Sequence, residues 1–276
     1  MQRLPILAAR IARRYYRTYG RLPRLLRPRL YSEKIQHRKL FDRRPYLTTT
    51  SDKFAMRDYA SRILGEDLAP EILFRTGDPR TIPFASLPSR FVVKATHGSG
   101  WQRIVTDRDA LDTRGLIAEC ERWLRSDYSH KGDEWFYAEI QPQIIVEELL
   151  DDGTGRPPRD VKLFVFNQRV HIVQIDSDRF RRHRRAFFDV DWNRLPIHDR
   201  KEELEGPVEP PSRLGDIIAC AEALAHETDF VRIDCYQVGS RIVLGEMTHC
   251  PGTGLMQFYP ANWDARLGAI WDGRLE

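Results

Sequence analysis

Hydrophobic residues near the N-terminus recur at steps of three and four positions, with arginines between them. They are Leu4, Leu7, Ile11, Tyr15, Tyr19 and Leu22. This spacing predicts an amphipathic basic helix that breaks near Gly20 and Pro23. Arginines interrupt the apolar run too often for a secretory signal. Two interpretations remain open: a helix packed on the body with a solvated arginine face, or a helix that docks on anionic lipid or an acidic partner.

The pattern over the next hundred residues predicts helices, a linker and a strand pair. Residues 31–65 read as helices, with Ser51 or Asp52 as an N-cap and Gly65 as the stop. A Pro-rich linker is expected to about residue 90, followed by strand, glycine loop and strand over residues 91–105. A further helix is expected after an N-cap at Asp112 or Thr113.

The second half of the chain predicts more strands than helices. A buried strand covers the stretch IIVEE at residues 144–148, and alternating strands cover residues 161–176. One helix is expected within residues 211–229, and a hairpin within residues 230–249 turns at Val238-Gly239-Ser240. Hairpins without regular βαβ repeats indicate an α+β fold with antiparallel sheets. We expect four parts: a basic helix (1–30), a helical subdomain with linker (31–90), and two lobes (91–148 and 149–276).

Composition indicates a globular protein. Of 276 residues, 41% are hydrophobic and 30% are charged, which excludes a disordered polar chain and a membrane bundle. Residues 1–30 contain nine arginines and no acid, more than twice the whole-chain net charge of +4, so the rest of the chain is net acidic. This argues against a broad nucleic-acid-binding face. Four cysteines without CxxC spacing indicate reduced thiols in a cytoplasmic protein.

Two stretches carry candidate chemistry. Lys94 ends a strand beside the turn Gly98-Ser99-Gly100, an arrangement that can hold phosphate, although a hairpin with a solvated lysine has the same pattern. Asp234 and Glu246 lie in apolar strands of the last hairpin, where they suit a cation such as Mg²⁺ or are two strand acids. Arg232 shares the face of Asp234.

The chain resembles the ATP-grasp superfamily, and within it the branch related to the teichuronopeptide biosynthesis (TupA-like) proteins. Seven blocks match that branch in order: SEKIQHRKLFDR, SDKFAMRDY, LPSRFVVKATHGSG, IIVEELL, DVKLFVFNQR, FVRIDCY and GEMTHCPGTG. The resemblance spans about residues 30–270. It implies two α+β lobes that enclose ATP, with the glycine loop as a flap over the phosphates.

The resemblance also implies roles for individual residues. The catalytic and phosphate-binding residues would be Lys94, Lys162 and Arg232, with the loop residues His97, Gly98, Ser99 and Gly100. Adenine would meet Glu147 and the main chain from Glu148 to Leu150. Asp234, Glu246 and Thr248 would hold Mg²⁺, although most ATP-grasp enzymes have Asn where this chain has Thr248. His97 is expected to contact phosphate or to pack the loop. Asp52, Lys53 and Arg57 are expected to form structural ion pairs or to contact substrate.

The activity implied is that of an ATP-dependent carboxylate–amine ligase in cell-surface polysaccharide biosynthesis, with an amino acid or amine and an anionic, uronic-acid-bearing glycan as substrates. The cluster RFRRHRR, residues 179–185, would be a dock for the glycan or a solvated loop. A sugar kinase and a non-catalytic nucleotide-binding scaffold remain alternatives. We expect a cytoplasmic protein with no nucleic acid partner, in which residues 1–30 either pack on the body or contact a membrane or an acidic partner.

Overall fold

The computed structural model describes residues 4–153, 155, 157–177 and 182–274. The helices are α1 (Leu4–Tyr19), α2 (Tyr31–Phe41), α3 (Pro45–Ser51), α4 (Ala55–Leu64), α5 (Thr113–Arg125), α6 (Ser129–Gly132), α7 (Leu214–Leu224) and α8 (Asn262–Trp271). The strands are β1 (Ile72–Thr76), β2 (Phe91–Ala95), β3 (Gln102–Val105), β4 (Ile144–Glu148), β5 (Asp160–Phe166), β6 (Arg169–Ser177), β7 (Arg184–Phe188), β8 (Glu202–Glu203), β9 (Phe230–Val238) and β10 (Arg241–Thr248). No helix among these residues is long and apolar enough to span a bilayer.

Most of the predicted elements are present. The basic helix α1 ends just before Gly20, whose φ of +69° is in the left-handed region that glycine tolerates. Asp112 is the N-cap of α5, and its carboxylate accepts a hydrogen bond from the Gly115 N–H at 3.0 Å. The last hairpin turns between Val238 and Arg241, as predicted.

One helix boundary differs from the prediction, and one local prediction was wrong. The regular helix α4 begins at Ala55, three residues after Asp52, although Asp52 has the hydrogen bonds of an N-cap: its carboxylate accepts from the Phe54 N–H at 2.8 Å and its carbonyl oxygen accepts from the Met56 N–H at 2.9 Å. The expected linker to residue 90 contains β1 and two short 3₁₀ turns, Pro79–Thr81 and Phe84–Ser86. The five residues of β1 are stabilised by antiparallel pairing with the distant β4, which no local pattern reveals.

Two compact units divide the chain. One contains Pro45–Pro158 and Val238–Glu246, and the other contains Met1–Arg44, Arg159–Gln237 and Met247–Glu276. The four-part division expected from the sequence stays a prediction.

The first of these units contains a sheet of four antiparallel strands in the order β1-β4-β2-β3. Its apolar side chains alternate along β2 and β4 and pack against the buried face of α5, which includes Leu116, Cys120 and Trp123. Hydrophobic burial on this face leaves the opposite face of β2 and β4 available for polar side chains.

A six-stranded sheet has the order β10-β9-β5-β6-β7-β8, and its strands β5 to β8 and most of β9 lie in the second unit. The pairs β5–β9, β5–β6 and β6–β7 are antiparallel, whereas β7–β8 is parallel. An aromatic cluster anchors α2 and α8: the ring centroid of Phe230 lies 4.7 Å from those of Phe166 and Trp271 and 5.2 Å from that of Tyr31. Mixed helices and antiparallel sheets confirm the predicted α+β class.

Candidate functional site

Lys94 and Glu147 form an ion pair on one face of the four-stranded sheet. Lys94 lies opposite Ile145, and Glu147 lies opposite Val92, so the two charged side chains are diagonal neighbours on the same face. The Lys94 Nζ is 2.5 Å from the Oε2 of Glu147, whose side chain is buried. The structure therefore brings together Lys94, which was expected to bind phosphate, and Glu147, which was expected to contact adenine.

The glycine loop after β2 is packed against aromatic rings. A Cβ atom at Gly98 would lie 2.6 Å from Cε3 of Trp101 and 3.0 Å from Cδ2 of Tyr128, so a larger residue does not fit without movement. Tyr128 also hydrogen-bonds Ser99. Gly100 has a φ of +78°, which favours glycine. The loop conformation thus depends on glycine at both positions.

His97 is a packing residue in this structure. Its Nε2 is 3.0 Å from the Trp123 carbonyl oxygen, and its ring is edge-on to Trp101 at 5.1 Å. Burial lowers the pKa of His97, which keeps the ring neutral at pH 7. The buried Nδ1 has no hydrogen-bond partner within the described ranges. Of the two roles expected for His97, these contacts favour loop packing.

Lys53 holds the same loop from the turn before α4. Its backbone N–H donates to the Thr96 carbonyl oxygen at 3.2 Å, and its Nζ donates to the carbonyl oxygen of Gly98. Burial lowers the pKa of Lys53, and the charges of Glu246 and Glu147 partly offset this effect. Sequence reasoning left the role of Lys53 open, and the structure places it against the loop and close to two predicted site carboxylates.

Neighbouring predicted residues have structural partners. Arg57 donates to the Pro70 carbonyl oxygen and, at 2.7 Å, to Asp67, which favours the structural ion-pair role. The Oε1 of Glu148 is 2.6 Å from Arg241, and the Glu148 N–H donates to the Glu71 carbonyl oxygen at 3.0 Å. The main-chain donor of Glu148 is therefore already used, while the half-buried Leu150 follows the end of β4.

The six-stranded sheet carries a second group of charges, centred on Lys162. Lys162 lies directly opposite Asp234 on one side and Gln174 on the other. Its Nζ is 2.5 Å from the Asp234 Oδ2 and 3.2 Å from the Asp160 Oδ1. All of these side chains are buried. Buried charges of this kind persist in proteins only when they are paired, as they are here.

Asp234 also accepts two hydrogen bonds from Arg232. The Arg232 Nε is 2.6 Å from Oδ1, and the second guanidinium nitrogen is 2.8 Å from Oδ2. The same nitrogen is 3.3 Å from the Thr248 hydroxyl. Arg232 therefore shares the face of Asp234, as predicted, and Thr248 lies beside this pair. Lys162 and Arg232 are thus matched by Asp160 and Asp234, so both cations of this group are paired in the structure.

Sequence reasoning missed the continuation of this charged row across β6 and β7. Gln174 donates to the Asp176 Oδ1 at 3.0 Å, and the Arg185 Nε lies 2.5 Å from the same oxygen. Arg185 also pairs with Asp199. Burial alone would raise the pKa of Asp176, but its bonds to Arg185 keep it well below the usual range. In the sequence, this charged row is indicated only by Gln174 and Asp176, two polar residues that lie two positions apart in an otherwise apolar strand.

The structure describes only part of the cluster at residues 179–185, and its role as a glycan dock stays a prediction. Residues 179–181 lie outside the described residues. Arg185 is in β7 and tied to two carboxylates, and the exposed Arg182 pairs with Glu202 at 2.5 Å. Arg185 therefore lies beside the edge strand β8, and Arg182 contacts that strand through Glu202.

The residues predicted to hold Mg²⁺ offer suitable donor atoms. Asp234, Glu246 and Thr248 present carboxylate and hydroxyl oxygens, which hard cations prefer. Over the described ranges, no three His, Cys, Asp or Glu side chains are grouped as metal ligands. Mg²⁺ in nucleotide sites is commonly held by one or two carboxylates, with phosphate and water oxygens as the other ligands. The donor set fits a cation of that kind, and the ligand role of these residues stays a prediction.

The sequence matches the family model described as TupA-like ATP-grasp over residues 33–271. No curated protein matches it. Similar solved structures include D-alanine–D-alanine ligase from Bacillus anthracis complexed with ATP, at 13% identity and a TM-score of 0.43, covering 73% of this chain and 54% of that chain. The ATP-grasp ligase PsnB, complexed with a phosphomimetic variant of its minimal precursor, Mg and ADP, has 15% identity and a TM-score of 0.44, covering 83% and 59%. D-alanine–D-alanine ligase from Helicobacter pylori has 12% identity and a TM-score of 0.46, covering 81% and 57%.

This chain thus spans between 54% and 59% of the length of these three structures. The family match, in contrast, includes most of the present chain. It contains both sheets, the glycine loop and the two charged groups. The chain belongs to the TupA-like ATP-grasp family.

Proposed function

We propose that this protein is an ATP-dependent ligase that joins a carboxylate to an amine. The observation that carries the proposal is the family match over residues 33–271, because the ATP-grasp family contains ligases of this type. The two charged groups support it, since they provide lysines beside carboxylates and no activated nucleophile is needed for such chemistry.

The cationic side chains would bind the phosphates of ATP. Lys94 and Lys162 would neutralise phosphate oxygens, each exchanging part of its present carboxylate contact for a phosphate contact. Arg232 would stabilise charge on the transferred phosphoryl group. The backbone N–H groups of His97–Gly100 would cover the phosphates, and Lys53 would keep the loop in place through the Gly98 carbonyl.

Adenine and metal would be bound by the remaining predicted residues. Glu147 and the main chain near Glu148–Leu150 would contact adenine, with the Glu148 carbonyl rather than its bonded N–H facing the base. Asp234, Glu246 and Thr248 would hold Mg²⁺. When bound, Mg²⁺ would neutralise negative charge on the phosphates during transfer.

The proposed reaction has two balanced steps. A substrate carboxylate oxygen attacks the γ-phosphorus of ATP, forming an acyl phosphate and releasing ADP. The amine then attacks the acyl carbon, the C–O bond to phosphate breaks, and the amine proton leaves to solvent. The chain's residues orient the reactants and neutralise charge, which accounts for much of the acceleration in such reactions.

For substrates we propose an amino acid or amine and a uronic-acid-type carboxylate on a cell-surface glycan or its precursor. This substrate class follows from the family resemblance. ATP as a substrate and four free cysteines fit action in the cytoplasm.

The test measures phosphate and ADP release from ATP with paired carboxylate and amine substrates, each also supplied alone. We expect release of both products to require both substrates, and an amide in the product. Lys162→Met should abolish turnover, whereas Lys201→Met, at an exposed position, should leave it unchanged. A phosphorylated sugar without free phosphate would indicate a kinase instead. Nucleotide binding without turnover on any substrate pair would indicate a scaffold.

A further inference from the structure

The basic N-terminal segment is not used by the proposed reaction. Residues 4–30 contain eight arginines and no lysine or acid, although the chain beyond residue 30 is net acidic. Arg21 is committed to the fold, because it pairs with Glu33 at 3.1 Å and with Asp264 at 3.6 Å. Several other arginines of this segment are exposed, which concentrates positive charge on one region of the surface.

One face of α1 belongs to the protein core. Leu7, Ile11 and Tyr15 recur at four-residue spacing and are buried, and Leu7 and Ile11 pack with Leu40 of α2. The Tyr15 hydroxyl is 2.8 Å from that of Ser32. These contacts fix the helix on the body, so its other face has a defined orientation.

The other face of α1 combines exposed apolar and cationic side chains. Ile6 is 60% exposed and Tyr16 is 55% exposed. Arg13 and Arg17 are exposed on the same side, since positions 6, 13, 16 and 17 share one helix face. An apolar residue at this exposure is unremarkable alone, but here the apolar and cationic residues alternate without an acid.

The segment after α1 continues this composition. Leu22 is 68% exposed and Leu26 is 78% exposed, the two most exposed large hydrophobic residues described. Arg24 and Arg27 are exposed between and beside them. Leu25, in contrast, packs against the apolar cluster of α1 and α2, which keeps this segment beside α1.

We propose that residues 4–29 dock the protein on an anionic phospholipid surface. Arginines attract acidic headgroups, and exposed leucines, isoleucine and tyrosine can enter the boundary between headgroups and acyl chains. Charge complementarity selects this occupant, since the surface is cationic and has apolar groups that a purely electrostatic partner such as duplex DNA would leave in water. The inference does not depend on the proposed ligase activity.

The test is co-sedimentation of the full chain with phosphatidylcholine vesicles, with and without phosphatidylglycerol. We expect binding only to vesicles with phosphatidylglycerol, and loss of binding at high salt. Arg13→Gln with Arg17→Gln should weaken binding about 30-fold, or about fivefold per arginine. Arg62→Gln with Arg114→Gln, a charge-matched control at exposed positions elsewhere, should not weaken it.

A second variant separates lipid from other polyanions. Leu22→Ser with Leu26→Ser should weaken vesicle binding about tenfold or more and leave the thermal midpoint unchanged, because both side chains are exposed. Equal binding to both kinds of vesicle, equal loss in the control variant, or no effect of the leucine changes would overturn the proposal. Tighter binding to duplex DNA than to the anionic vesicles would overturn it in favour of a nucleic acid partner.

Discussion

Replacing Asp234 with asparagine tests both the buried charge network and the proposed site. Asp234 is 2% exposed and accepts three charge-assisted hydrogen bonds from Lys162 and Arg232, with lengths from 2.5 to 2.8 Å. Asparagine has a similar shape but no negative charge. Of the two carboxylates that pair with Lys162, only Asp160 would then remain. Removing one partner of a buried ion pair costs about 3–5 kcal/mol. We take about 3 kcal/mol, because Asp160 remains, and expect the melting temperature to fall by about 6–12 °C.

The assay is thermal and denaturant unfolding of Asp234→Asn beside Asp109→Asn, whose side chain is 80% exposed and which should change stability little. A second readout adds Mg²⁺ and a non-hydrolysable ATP analogue. At about a hundredfold excess over Kd, the ligand should stabilise the unaltered protein by about 2.7 kcal/mol. We expect no such stabilisation of Asp234→Asn.

The two readouts refute different parts of the reasoning. If Asp234→Asn unfolds at the same temperature as the unaltered protein, the buried ion pairs contribute no net stability. If it is destabilised but keeps the full ligand-induced shift, Asp234 has a structural role and is not a metal ligand. Ligand binding that does not require Mg²⁺ would also contradict the proposed metal role.

Three further outcomes are expected. Lys53→Met should weaken binding of the ATP analogue about tenfold by freeing the carbonyl of Gly98, with Lys53→Arg closer to the unaltered protein in calorimetric titrations. Gly98→Ala should destabilise by about 1–3 kcal/mol in denaturant unfolding, because its Cβ meets Trp101, whereas Gly77→Ala, with open space around it, should have little effect. Burial lowers the pKa of His249 well below 6.5, so near that pH the unfolded chain binds more protons than the folded protein. The free energy of unfolding should therefore fall as the pH drops below about 6.5. His249→Gln should reduce this pH dependence, and an unchanged dependence in the variant would contradict the role of His249.

Local periodicity predicted the elements whose stability is largely local. The helical spacing of α1, the Asp112 cap of α5 and the turn of the last hairpin are each encoded in a few adjacent residues. The strand β1 was missed because its residues gain their stability from pairing with β4, about seventy positions later in the chain. Pairing over such a distance leaves no signal in either segment alone.

In the candidate site, too, some residues could be identified from their local sequence, whereas others depend on contacts between distant segments. Asp234 could be selected as an acid in an apolar strand and Lys94 as a lysine at a strand end beside glycines, whereas Lys162 was assigned through the family resemblance. The pairing of Arg185 with Asp176 could not, since it depends on the register between two strands. The contact of Lys53 with the loop depends on the packing of a turn against a strand end, which the sequence leaves open.

The charged row across the six-stranded sheet also specifies how its strands align. Along β5, Asp160 and Lys162 alternate with Val161 and Leu163, and all four are buried. A slip of one residue against β9 would turn both charges toward the apolar side and separate Lys162 from Asp234. Each unpaired charge would cost several kcal/mol. Neighbouring alignments of these strands are therefore excluded during folding, by the same ion pairs that shape the candidate site.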